Sequence, residues 1–269
     1  MEKIIDIKSF SNPKIKLIRE LKKRNKREKS KYFIIEGYRE IEKAYIGGYE
    51  IEVIFFNESL FLKNNELRLI KKINAKKNIR VLKNIFEKLS YRDRPEGLLA
   101  IAKKKQFYLT DLEEIIKKTK NPFFLILENI EKPGNLGSIL RSADTAGVDV
   151  VIVCDPKTDI FNPNTIRASI GAVFIKKVII AEKEEVLKIL KKNIISIIAT
   201  TPNSDFLYTE VDLKKPLALI FGSEQYGLSN FWLNNSDIKV KIPMKGRIDS
   251  LNVSNSVSIL LYEVLRQRS

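Results

Sequence analysis

The sequence predicts an α/β protein of two units, a small N-terminal one and a larger C-terminal one. Three observations carry this reading. Short apolar runs rich in β-branched residues alternate with helix-period segments along most of the 269 residues, and in residues 121–269 this is the pattern of a mostly parallel sheet covered on both faces. The hydrophobic fraction is 44%, enough to bury a core in each unit. The charge is also divided. Residues 121–269 carry 18 basic and 16 acidic side chains, whereas residues 1–120 carry 31 and 17, so +14 of the net +16 lies in the first part.

The elements follow in order. Lys14 to Lys31 hold ten basic and two acidic side chains, with Ile15, Ile18 and Leu21 spaced for one helix face. Residues 1–31 are therefore expected to form a basic N-terminal helix that docks weakly and points its cations outward. Such clusters gain affinity for nucleic acid by releasing its counterions. A general lysine bias would spread over both halves, so the division points to a polyanionic partner.

Residues 32–105 read as a small α/β domain. Strands are expected at Tyr32–Ile35, Ile51–Phe56, Ile79–Leu82 and Gly97–Ala102, with helices at Tyr38–Ile46, Asn65–Asn74 and Asn84–Lys88. Residues 106–120 read as a linker with a short helix. Residues 121–269 form the second α/β series, with strands at Phe123–Leu127, Val148–Cys154, Phe174–Ile180, Ile194–Thr200, Leu217–Phe221 and Ile238–Ile242. Its helices fall near Leu136–Ala146, Asn164–Ala172, Lys183–Lys192, Gly227–Leu233 and Val253–Arg266.

Several function classes are excluded. There is no histidine, which removes His triads, imidazole bases and His-ligated zinc, and no metal is expected. The single cysteine, Cys154, permits no internal disulfide and fits a cytoplasmic protein. No window holds 18 uninterrupted apolar residues, and Met1-Glu2-Lys3-Ile4-Ile5-Asp6 does not read as a secretory signal, so no membrane partner is expected. A nucleotide-binding domain of another kind would show G-x-G-x-x-G or G-x-x-x-x-G-K-[ST], and neither occurs.

Three segments carry candidate chemistry. Glu128 to Ala143 follows a strand, turns at Pro133-Gly134, can cap a helix with Asn135 and places Arg141 six residues on. Phe221-Gly222-Ser223-Glu224-Gln225-Tyr226-Gly227-Leu228-Ser229 is a glycine-bracketed loop after a strand, where open α/β sheets bind ligands. Ile242-Pro243-Met244 leads to Ser250-Leu251-Asn252-Val253-Ser254-Asn255-Ser256. That stretch holds more Ser and Asn than one helix cap requires.

Together these segments resemble the SpoU/TrmH branch of the SPOUT RNA methyltransferases. The motifs Asn135…Arg141, Gly222-x-Glu224-x-x-Gly227-Leu228 and Ile242-Pro243-Met244 with Ser250–Ser254 stand in the family's order, and Arg167–Ala172 also matches. Gln225 departs from it, where many relatives have a second glycine. The basic first part resembles the RNA substrate-binding domain that many members carry.

The resemblance implies a SPOUT-type parallel sheet with a deep trefoil knot, S-adenosylmethionine as cofactor and a homodimer. The acceptor it implies is a ribose 2′-hydroxyl of ribosomal RNA, with 23S RNA as the expected target. It implies cofactor contacts through Gly222, Ile242 and Leu251. Ser223, Pro243, Met244 and Val253 would shape the pocket, and Thr200 and Thr201 are further candidates. It places Asn135, Arg141, Glu224, Ser250 and Asn252 at the reacting centre. Arg141 is a poor general base, because an arginine pKa lies above about 12, and is read instead as a clamp on an RNA phosphate. The alternatives are a transfer-RNA 2′-O-methyltransferase and an RNA-binding ribosome assembly factor without catalysis.

Overall fold

A computed structural model describes residues 4–7 and 9–269. Three residues of the N-terminal hexapeptide, Met1 to Lys3, and also Lys8 lie outside them. The chain divides into two compact units, one of residues 1–105 with Phe161–Ile175 and one of residues 106–160 with Lys176–Ser269.

The first unit begins with β1 (Ile5–Ile7), α1 (Pro13–Leu21) and α2 (Arg24–Glu28), then β2 (Tyr32–Glu36), α3 (Tyr38–Ile46) and β3 (Ile51–Phe56). A 3-10 turn at Glu58–Leu60 leads to α4 (Glu66–Ile73), β4 (Lys77–Val81), α5 (Lys83–Leu89) and β5 (Leu98–Lys103). The sheet order is β1-β4-β3-β5-β2. β1, β4 and β3 run parallel, whereas β5 is antiparallel to both β3 and β2.

The basic stretch is not one weakly docked helix. Asn12 caps α1 by accepting from Lys14 N–H at 2.9 Å, and Pro13 occupies the first turn, where no N–H is needed. Ile15, Ile18 and Leu21 are fully buried against Phe55, Ile79 and Phe86 of the sheet core. Arg27 is also buried, and its Nη1 donates to the carbonyls of Leu21 and Lys22 at 2.9 and 3.0 Å. It therefore caps the end of α1 instead of facing a partner. Lys16, Arg19, Lys23, Lys26 and Lys29 remain exposed.

Two short helices, α8 (Pro163–Ala168) and α9 (Ala172–Ile175), belong to this unit. Phe161 and Phe174 pack on Phe33 and Tyr49, with ring centroids 4.5 Å apart for Phe33–Phe161 and 5.0 Å for Tyr49–Phe174. The expected strand Phe174–Ile180 is thereby split. Phe174 lies in α9, and only Lys177–Ile180 pairs as a strand.

The second unit contains α6 (Leu109–Lys118), β6 (Phe123–Glu128), α7 (Pro133–Thr145), β7 (Val150–Cys154), β8 (Lys177–Ile180), α10 (Lys183–Lys192) and β9 (Ser196–Thr200). It continues with β10 (Leu217–Phe221), α11 (Asn230–Asn235), β11 (Ile238–Val240) and α12 (Val253–Arg268). Its six strands run parallel in the order β11-β9-β10-β6-β7-β8. The stretch 106–120 is part of this body, since Leu112 of α6 is buried with Phe124, Ile126 and Ile220. The expected helix Gly227–Leu233 starts later, because residues 223–227 form a tight loop and Asn230 opens α11. The last strand ends at Val240, and Lys241 makes a single bridge to Leu207.

Candidate active site

The parallel register brings the carboxyl ends of β6, β10 and β9 side by side. Leu127 is level with Phe221, and Ile220 with Ala199. The residues just beyond these ends are Asn129, Gly222 and Thr201, so the three loops open at one edge of the sheet. That edge is where open α/β sheets form their ligand sites.

A cavity of about 440 Å³ lies there. Its walls come from Thr200–Asn203, Phe221–Leu228, Leu233, Ile242, Met244, Asp249–Leu251, Val253 and Ser256. Thr200, Thr201, Gly222, Ser223, Ile242, Met244, Leu251 and Val253, all expected from the sequence, are among its lining residues. Pro243 is not among them.

Gly222 is required by the loop itself. Ser223 and Gly227 exchange two backbone hydrogen bonds at 3.1 Å each. A Cβ on Gly222 would stand 2.0 Å from the Gly227 carbonyl oxygen, so no other residue fits without opening the loop. Gly227 takes φ +66°, a left-handed conformation suited to glycine.

Glu224 projects from this loop and lines the cavity. Asn135, in the first turn of α7, donates from Nδ2 to Glu224 Oε1 at 2.6 Å. Asn252, the N-cap of α12, donates from Nδ2 to Asn135 Oδ1 at 3.2 Å. Its own Oδ1 accepts from the Ser254 N–H at 2.9 Å and hydroxyl at 2.6 Å. One hydrogen-bonded chain thus joins three of the expected reacting-centre residues, 89 and 117 positions apart. Ser142 and Ser258 hydroxyls, 2.8 Å apart, tie α7 to α12 and hold the two asparagines in register.

Burial alone would raise the Glu224 pKa. Hydrogen bonds from Asn135 and from the backbone of Glu224, Glu131 and Lys132 outweigh that effect and hold it below the ordinary carboxylate value. Glu224 is therefore an anion and an acceptor at neutral pH.

Ser250 lines the cavity from an exposed loop. Arg141, on the exposed face of α7, joins no hydrogen bond of this chain through its guanidinium among the described residues. Its side chain is free to meet a partner.

Sequence reasoning missed Glu128 and Ser229. The Glu128 side chain is fully buried, and its two oxygens accept from the Ser229 N–H at 2.8 Å and hydroxyl at 2.7 Å. This clamp fixes the far end of the 222–229 loop to β6. The only signal in the sequence was a lone carboxylate closing an apolar strand. Pro202, Asn203, Tyr226, Asp249 and Ser256 also line the cavity without having been expected to.

Comparison with known proteins agrees with this geometry. A model described as the SpoU rRNA Methylase family matches residues 122–262, and one described as the MRM3-like substrate binding domain matches residues 12–100. The 23S rRNA (uridine(2479)-2′-O)-methyltransferase of Streptomyces viridochromogenes is 28% identical over 91% of this chain and 86% of its own. A crystal structure of an RNA 2′-O ribose methyltransferase is 38% identical, with a TM-score of 0.83 over 98% of this chain and 99% of that one. The AdoMet-bound rRNA methyltransferase of Sinorhizobium meliloti is 26% identical, with a TM-score of 0.88 over 98% of both chains. A family model that spans the whole second-unit site, with structures of the same fold along nearly the entire chain, shows that this protein belongs to the SpoU rRNA methylase family.

Proposed function

We propose that this protein transfers a methyl group from S-adenosylmethionine to a ribose 2′-hydroxyl of ribosomal RNA, with 23S RNA as the target. The observation that carries the reading is the Glu224–Asn135–Asn252 chain, anchored on the wall of a ligand-sized cavity. Relatives that share the fold are named for rRNA ribose methylation and for bound AdoMet.

The cavity suits the cofactor. Its volume lies within the roughly 300–1,000 Å³ usual for small-molecule sites. Thr200 Oγ1, in its wall, is buried with no hydrogen-bond partner among the described residues, which leaves a hydroxyl free for a ligand. Gly222, Ile242 and Leu251 hold the cofactor through backbone groups, and Ser223, Met244 and Val253 shape its walls. Pro243 lies between Ile242 and Met244 in the chain. When bound, S-adenosylmethionine supplies a methyl group on a sulfonium, an already activated leaving group.

The protein's task is then alignment. Asn135, Ser250 and Asn252 orient the ribose hydroxyl by hydrogen bonds. Glu224 keeps Asn135 in position as an acceptor. Arg141 clamps the neighbouring phosphate through its planar fork and stabilises negative charge developing on the oxygen. Its permanent positive charge makes it unsuited to accept the proton. The first unit holds the RNA, the active protein is a homodimer, and it works in the cytoplasm. The chain after β10 threads as the trefoil knot that the family resemblance implies.

The test is transfer of tritium from labelled S-adenosylmethionine to ribosomal RNA, with the modified position mapped in cells with and without the gene. One 2′-O-methyl site should vanish on deletion. An unchanged map with no transfer in vitro would refute the reading. Arg141→Lys keeps a charge but loses the fork, and should lower kcat roughly 10²-fold. Near-normal turnover with only a displaced pH profile would rule out the clamp.

A further inference from the structure

Two sets of contacts join the β6–α7 connection to the β10–α11 connection. In the first, Asn135 Nδ2 donates to Glu224 Oε1 at 2.6 Å, and the Glu131 N–H donates to Glu224 Oε2 at 3.3 Å. In the second, Glu128 closes β6 and its carboxylate accepts from the Ser229 N–H at 2.8 Å and hydroxyl at 2.7 Å. The Glu128 side chain has no exposed surface. Lys183 brings the opposite charge, with Nζ 3.8 Å from Glu128 Oε1 and 3.3 Å from Asp155 Oδ2.

Three local preferences are given up to build this clamp. A serine before a helix ordinarily caps it, but the Ser229 hydroxyl donates to Glu128, and α11 has no side-chain cap among the described residues. A lysine in the first turn opposes the helix dipole, yet Lys183 opens α10. A buried carboxylate forfeits its hydration, yet Glu128 ends a strand that is otherwise wholly apolar. Local rules broken together, by groups that satisfy one another, mark a place where function and not folding sets the residues.

We propose that Glu128, held by Ser229 and Lys183, is a positioning residue for methyl transfer and sets the separation at which Glu224 meets Asn135. The inference rests on the reading of the chain as an RNA methyltransferase. Neither Glu128 nor Ser229 lines the cofactor cavity, so the clamp acts through the two connections it joins. The Ser223–Gly227 backbone pair closes the middle of the 222–229 loop by itself, and the cavity wall does not need the clamp to form. What the clamp supplies is alignment. With it loosened, the Asn135–Glu224 bond depends on a half-buried side chain that water can reach. The loss then falls on the orientation of the ribose hydroxyl and spares the binding of cofactor or RNA.

The test is single-turnover methyl transfer by the full-length protein at saturating S-adenosylmethionine, with ribosomal RNA from cells lacking the gene. Ser229→Ala should slow transfer roughly 10–10²-fold, while cofactor Kd by calorimetry and RNA Kd by anisotropy stay within about threefold. Ser229→Thr keeps the hydroxyl and should stay within about threefold of the wild-type rate. In an Asn135→Ala background, Ser229→Ala should cost less than about twofold, because the bond it serves is already gone. Thermal melting verifies folding. A folded Ser229→Ala protein of wild-type rate would overturn the proposal. So would a full loss that persists in the Asn135→Ala background, or a cofactor Kd raised enough to account for the loss. Should Ser229→Ala fail to fold, Lys183→Gln at a half-exposed position is held to the same outcomes. In each of these cases transfer by the wild-type protein leaves the enzymatic reading standing; no transfer by the wild-type protein would overturn both.

Discussion

Glu224 shows how the neighbours of a side chain decide its role. Its carboxyl is partly buried, yet hydrogen bonds from Asn135 and the surrounding backbone keep its pKa below the usual 4.5. A group depressed in the folded state contributes stability above its unfolded pKa and loses it as pH falls through the folded one. The Glu224–Asn135–Asn252 chain is therefore intact across neutral pH and fails only in acid. Asn135→Ala removes the side-chain hydrogen bond that most lowers the Glu224 pKa, so that carboxyl should titrate at higher pH. The acid limb of the kcat/KM profile should move upward, and kcat at neutral pH should fall roughly 10²-fold. An acid limb that stays in place would separate Glu224 from the reaction. Asn135, Glu224 and Asn252 were legible through the motifs that resemble a known family, and only around Asn252 do Ser and Asn also crowd beyond what one helix cap needs. Glu128 was not, because its meaning depends on Ser229, 101 positions away. Nor was Arg27, whose burial under α1 cannot be told from the surface cations around it.

At the level of elements, alternation and period located most strands and helices of both units. The reading failed where an apolar run served two units. Phe174 completes the aromatic cluster of the first unit, while Val178 and Ile179, a few residues on, belong to the sheet of the second. Periodicity registers both as one strand, since it reports burial and not the core in which burial occurs. It gave no direction for β5, which is antiparallel to its neighbours, because strand direction depends on long-range pairing. The opposite error concerned α1, whose charge suggested loose attachment. Ile15, Ile18 and Leu21 on its inner face are as buried as any residue in the core. Ile18→Ala should therefore destabilise the protein by about 2–5 kcal/mol, as deletion of a core side chain does. Chemical denaturation would measure it, and a destabilisation below about 1 kcal/mol would restore the weakly docked helix.

At the scale of the whole molecule, the division of charge assigns different work to the two units. Residues 121–269 are near neutral and carry the cofactor-sized cavity, while residues 1–120 carry +14 and include the match to a substrate-binding domain. If the first unit supplies the cations that meet RNA phosphates, affinity for RNA should fall steeply with salt, because each neutralised phosphate releases a condensed counterion. Exposed Lys16, Lys23 and Lys26 on and beside α1 and α2 are the natural contributors, being free of the capping duty that occupies Arg27. The triple change of these lysines to Gln should lessen the slope of log Kd against log salt by about 2–3, at roughly 0.7–0.9 for each phosphate no longer neutralised. Binding of S-adenosylmethionine should be unaffected, since no group in its cavity is altered. Titration calorimetry for the cofactor and fluorescence anisotropy for RNA, both over a salt series, separate these effects. An unchanged RNA slope would move the phosphate-binding cations away from α1 and α2. A weakened cofactor affinity would show that the charge of the first unit also acts on the second.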